Sequence, residues 1–199
     1  RAWYPEHALQ PFFDFLHIRV LDGRVFSVFP PGWPAVFFAA ALAGIPAWLV
    51  NPILGALTVP VFFAVARRWY EPRVVLMAIV AMLLSPFFLL NSASYYAHTV
   101  TLLVTLVFAA AALGGSDGNS FTLGLVAGAS FGAAFAARFF TAVMGGLPFG
   151  IYHLRRNLRH WRFVAGFAAG VAPILIAFLW HNHELMGRWG VLPMHGFEN

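Results

Sequence analysis

The chain contains no cysteine and no lysine, and only 7 acidic side chains among its 199 residues. Without cysteine there is no disulfide, thiolate metal site or thiol nucleophile. Charged residues make up 10% of the sequence, whereas soluble domains carry about 25%. That is too little charge to cover a water-facing surface, which excludes an ordinary cytosolic enzyme, a disordered tail and a nucleic-acid-binding module. The 12 basic residues are all arginine and sit in short clusters between apolar runs. Such clusters mark membrane topology rather than a phosphate-tracking patch, so no nucleic-acid partner is expected. Glycine-rich phosphate loops, a GxSxG elbow and an HExxH pair are missing too.

What is present is apolar. Hydrophobic residues account for 61% of the chain, 22 of them phenylalanine, and the mean hydropathy is +0.77. The class is all-α integral membrane. A bilayer core needs about 20 apolar residues as helix, and the candidate spans are 47–66, 74–90, 98–113, 121–137, 139–153 and 163–180. Arg67-Arg68, Ser85-Pro86, Gly114-Gly115, Arg138, Arg155-Arg156 and His181-Asn182 delimit them. The stretch 34–44, punctuated by Pro30, Pro31, Pro34 and Pro46, is only half a bilayer long and reads as a re-entrant or interfacial half-helix. Residues 1–33 are assigned to a first outer loop, 34–180 to the transmembrane helical module and 181–199 to the start of a later outer loop. The start at Arg1 and the polar stretch 191–199 are those expected of an internal piece of a longer protein.

Orientation follows from the arginines. Arg67, Arg68 and Arg73 lie after the first span, and Arg155, Arg156, Arg159 and Arg162 after the fifth. An even number of spans separates the clusters, so both face one side, and the positive-inside rule makes that side the cytoplasm. Ser92–Ala97, Arg138, 181–199 and 1–33 then face outward. Small residues crowd the fourth span, and the spacing from Gly128 to Gly132 is a close-packing signal.

Few residues offer chemistry. His181 and His183 flank Asn182 beside Glu184, but with no further ligand nearby a hydrated interfacial loop describes them better than a metal site. The patch from Ser92 to Thr99 holds Tyr95, Tyr96 and His98; it is either an interfacial tyrosine belt or a set of donors facing an anionic headgroup. Arg138 stands between two apolar spans on the side where arginine is disfavoured. There its planar donors can serve a phosphate oxygen pair or snorkel to lipid headgroups. Pro30-Pro31-Gly32-Trp33-Pro34 is a rigid aromatic element at the water boundary, suited to closing over a cavity.

These segments, in this order, resemble the C-type glycosyltransferase superfamily (GT-C). They resemble in particular the bacterial polyprenyl-phosphate-sugar-dependent transferases related to dolichyl-phosphate-mannose protein mannosyltransferases and lipid A aminoarabinose transferases. The resemblance rests on Phe12-Phe13-Asp14, Asp22-Gly23-Arg24, Phe29 to Pro34, Trp48 to Thr58 and Arg67-Arg68-Trp69-Tyr70. It continues through Ser85-Pro86-Phe87-Phe88, Ser92 to His98, Ala137 to Ala142 and Gly146-Leu147-Pro148-Phe149.

The resemblance implies a bundle of about six transmembrane helices in a bacterial inner membrane, active at its periplasmic face. The implied reaction is inverting transfer of a sugar from a polyprenyl-phosphate donor to a lipid, glycan or protein acceptor. Membrane lipids and the donor are the expected partners, and no cofactor or metal site is assigned. Arg138, His98, Tyr95, Tyr96 and Trp33 are the candidate substrate-binding residues. His98 stands where the family often has an acidic residue, and Ser27-Val28-Phe29 where members near the aminoarabinose transferases have a lysine. The family's catalytic acid is expected before Arg1, so no residue here is named as base and the chain alone is expected to be inactive. The competing class is a polytopic transporter or a non-catalytic membrane scaffold; a transporter is expected to carry charge near mid-span, where these spans have almost none.

Overall fold

A computed structural model describes residues 2–3, 18–21, 24–27, 29–157, 160–186 and 189–190. The acids Glu6, Asp14 and Asp22 and the segment 191–199 lie outside the described residues. Near the N-terminus three short strands, β1 (Ala2–Trp3), β2 (Ile18–Leu21) and β3 (Arg24–Ser27), form an antiparallel sheet in the order β1-β3-β2, with Leu21 opposite Arg24. Alternating branched residues such as Ile18, Val20 and Val25 favour extended backbone there. This sheet is an element the helical reading of the sequence did not contain.

The other regular elements among the described residues are helices: α1 (Gly32–Leu42), α2 (Ala47–Ala66), α3 (Pro72–Leu84), α4 (Pro86–Ser92), α5 (His98–Asp117), α6 (Phe121–Asn157) and α7 (Trp161–Met186). Among the described residues, four helices are long and apolar enough to cross a membrane, or five if α3 and α4 together count as one span. The chain is a multi-pass helical membrane protein.

Three elements depart from the spans read in the sequence. The span at 74–90 is two helices bent by 65°. Pro86 forces this, because its ring opposes helical backbone at Ser85, which adopts φ −69° and ψ 120°. The last span does not stop at Trp180: α7 runs on to Met186, so His181 and His183 are helical rather than in a loop. The segments 121–137 and 139–153 join in a continuous helix assignment whose single non-helical residue is Arg138, at φ −154° and ψ 85°.

That one residue reverses the chain. In a straight helix Phe131 and Gly146 would stand about 22 Å apart, yet a Cβ on Gly146 would lie 2.7 Å from the Phe131 ring. Ala127 and Phe149, each eleven residues from Arg138, likewise pack into one cluster with Phe108, Ala112 and Phe163. So α6 is two arms, 121–137 and 139–157, folded against each other.

The first arm and α7 meet backbone to backbone. A Cβ on Gly124 or Gly128 would lie 2.1 Å from the carbonyl oxygen of Phe163 or Phe167, and one on Gly166 or Gly170 would meet Phe121 or Leu125 at 2.2 and 2.3 Å. Two glycines four residues apart on each helix therefore interlock, the geometry by which membrane helices pack without a hydrophobic driving force. Only glycine allows this approach.

The turns set two ends. His98, the α4–α5 loop and Arg138 gather at what we call the upper end. Gly115, Asn119, His160 and Phe163 gather at the lower end, where the Asn119 side chain accepts from the backbone N–H groups of Arg162 and Phe163 and so caps α7. The half-helix α1 has both ends at the upper end. Gly32 rests on the backbone of Ala136 and Ala137, and its far end turns through Gly44, at φ 71°, directly into α2. It has no buried residue and exposes Phe38 and Leu42, as suits a helix lying along a bilayer interface rather than crossing it.

Candidate functional site

The upper end is built on the short loop between α4 and α5. Asn51 sits one turn inside α2, 2% exposed, and its amide donates to the carbonyl of Ser94 at 2.5 Å and to that of Tyr96 at 3.0 Å. The Ser94 hydroxyl donates to the Asn91 carbonyl and accepts from the Tyr96 N–H, while Thr99 also donates to Asn91. Gly55 leaves room for Ser92, whose oxygen would lie 2.7 Å from a Cβ there. The loop is thus fixed from α2, and the Tyr95 and Tyr96 rings project outward, 62% and 67% exposed. Buried here without a protein partner are Asn51 Oδ1 and Ser92 Oγ.

Arg138 reaches the same loop. Breaking the helix lets its side chain leave the apolar face, and its guanidinium meets the ring nitrogens of His98, with Nη1 3.1 Å from Nε2 and in closer contact with Nδ1. An arginine can only donate, so the nitrogen it meets is an unprotonated one. The rings of Phe87 and Tyr96 stand edge-on to His98, at centroid distances of 6.2 and 6.1 Å. Trp33 closes the cluster from α1: its indole N–H donates to the Tyr95 carbonyl at 2.6 Å, and Phe37 packs between the Trp33 and Tyr95 rings. All five candidate residues, Arg138, His98, Tyr95, Tyr96 and Trp33, therefore converge on one end.

Beneath α1 lies a cleft of about 500 Å³, lined by Pro31, Ala39, Val104, Ala133, Ile174 and His181 among others. Ala137 on its wall directly precedes Arg138. The cleft is almost wholly apolar apart from His181. An apolar slot beside an arginine–histidine pair suits an amphipathic ligand with an anionic head.

Two residues that matter here were not among the candidate binding residues read from the sequence. Asn51 appeared only inside a longer motif, although a lone amide within an apolar span was itself a signal that a partner must exist. His181, on a helix and not in a loop, lines the cleft, whereas His183 turns to stack on Trp189 at 4.4 Å. Among the described residues, His, Asp and Glu side chains nowhere gather in threes.

Asn51→Leu is expected to free the 92–97 loop. Losing two hydrogen bonds costs about 1–3 kcal/mol. Amide hydrogen exchange at 92–97 should accelerate while the lower end of the bundle is unchanged. Equal protection in the variant would mean that the loop is held by other contacts.

No family model, curated protein or solved structure matches the chain.

Proposed function

We propose that the protein is a membrane glycosyltransferase of the C-type superfamily that uses a polyprenyl-phosphate sugar at the upper end of the bundle. The single observation that carries this reading is the junction of the Arg138–His98 pair with the apolar cleft under α1. A polyprenyl-phosphate sugar has the same two parts, a long apolar chain and a phosphate at its end. Arg138 binds the phosphate through parallel N–H donors, and His98 adds a second donor once its ring is protonated or turned toward the oxygen. The exposed Tyr95 and Tyr96 rings form the platform on which a sugar stacks. In this reading α3 and α4 form one broken crossing and the two arms of α6 form two, giving six. The arginine-rich lower end is cytoplasmic and the upper end periplasmic.

The chemistry is displacement at the anomeric carbon: the acceptor oxygen bonds to it, the lipid phosphate leaves with the electron pair, and the acceptor proton passes to a base. Developing charge on the leaving phosphate is what fixed upper-end donors stabilise.

The test uses the protein in nanodiscs with a polyprenyl-phosphate sugar. Saturable donor binding is expected, competed by polyprenyl phosphate and weakened in Arg138→Ala. A folded protein that binds no donor but supports solute flux into vesicles would be a transporter, and the enzyme reading would fall.

A further inference from the structure

A second cleft lies on the opposite half of the bundle. The second arm of α6 leans on α5 and α2: a Cβ on Gly145 would touch Thr105 at 3.1 Å, and Phe149 packs against Val65, Ala109 and Leu113. Helix α7 is drawn the other way, onto the first arm, by the interlocked glycines. The two walls therefore part, and between them opens a cleft of about 390 Å³, lined by Phe108, Phe131, Leu147, Gly150, Val164 and Phe167 among others. Every lining residue is apolar, so the space has nothing to hold ordered water. It opens to the side, where Leu147 and Val164 are half exposed.

The same chain segment that joins the two walls carries the positive charge. Arg155 and Arg156 lie on the last turns of the second arm, and Arg162 lies on the first turn of α7, two residues before Val164. Arg162 is exposed, with its guanidinium 5.6 Å from the Trp161 ring. At about 1.5 Å per residue, Arg162 and Phe167 are about 7.5 Å apart along the axis. No acidic residue occurs anywhere in 150–167. Charge at the membrane surface and an apolar slot running inward from it match, in order and direction, a phospholipid of the leaflet on this side.

We propose that this cleft is a binding site for an anionic phospholipid, with one acyl chain between the second arm of α6 and α7 and its phosphate at the basic lower end, beside Arg162. The segment 155–162, with Arg155, Arg156, Arg159 and Arg162 and no acidic residue in its sequence, favours an anionic over a zwitterionic headgroup. Bound lipid fills the wedge and holds the second arm, hence Arg138 at its start, in place. The site depends only on the membrane class of the protein, not on its being a transferase.

The experiment measures thermal unfolding of the purified chain in detergent with added phosphatidylglycerol or phosphatidylcholine. A ligand that binds only the folded state raises the melting temperature with concentration. Phosphatidylglycerol is expected to act at concentrations at least tenfold lower than phosphatidylcholine. Gly150→Leu fills the cleft from a position where a Cβ meets nothing within 4 Å; it should leave lipid-free melting unchanged and abolish the phosphatidylglycerol effect. Leu147→Trp, closing the cleft from an exposed position, is the second filling variant. Arg156→Gln with Arg162→Gln should weaken phosphatidylglycerol roughly 10- to 30-fold, with Arg67, Arg68, Arg73, Arg155 and Arg159 keeping the topology signal. Equal stabilisation by the two lipids, or a full phosphatidylglycerol effect in both filling variants, would overturn the proposal. So would a dimer dispersed by Gly150→Leu, which would put a second copy in the cleft.

Discussion

Gly128→Leu is expected to destroy the bundle's cooperative unfolding transition or lower its melting temperature by about 10 °C or more. A side chain at this position meets the Phe167 carbonyl and the Val171 nitrogen, both backbone, with a Cβ approach of 2.1 Å to the former. Overfilling a packed interior costs about 1–3 kcal/mol when side chains can give, and here none is available to give. The first arm of α6 and α7 would have to separate, which also undoes the contacts at Gly124, Gly166 and Gly170. Thermal denaturation in detergent reads the effect, with Gly150→Leu as a control that leaves lipid-free melting unchanged. Gly128→Leu melting within about 2 °C of the parent would mean that the helices are not in backbone contact.

Arg138→Ala is expected to weaken binding of a polyprenyl-phosphate sugar about 10- to 100-fold, the range of a charge-assisted bond of about 1.5–3 kcal/mol. Melting should change little, because Arg138 occupies a half-buried turn and its partner His98 can bond to water instead. Arg138→Lys should restore only part of the affinity, since an ammonium cannot reproduce the planar fork. The measurement is donor binding in nanodiscs beside a melting curve for each variant. Unchanged affinity in a folded Arg138→Ala protein would leave Arg138 as a residue that reaches lipid headgroups and would remove the phosphate role from the proposed function.

The membrane class was legible in the sequence because it depends on composition and run length alone. Ala47–Ala66 is a helix with the bounds its apolar run has, since a continuous apolar run in lipid satisfies its backbone only as helix. The half-helix α1 was legible from its prolines, and the breaks at Ser85 and Arg138 were visible as span limits. The packing role of the fourth span was legible as well, through its small residues.

Tertiary structure decided what those breaks do. Arg138 marked a boundary in the sequence, but only the contacts of Phe131 with Gly146 show that the chain doubles back there. Likewise, Ser85-Pro86 stood near one end of the span 74–90, yet only the structure shows the 65° bend that divides it there. Hydropathy could not carry α7 beyond Trp180, because His181, Asn182 and His183 are polar; Asn182 is nevertheless buried and donates to the Gly190 carbonyl at 2.8 Å. The meeting of Arg138 with His98, 40 residues away, and of Asn51 with Ser94 and Tyr96 depends on which helices are neighbours. Periodicity along one chain reports which residues face lipid or protein, and carries no information on which distant turn comes to lie against which.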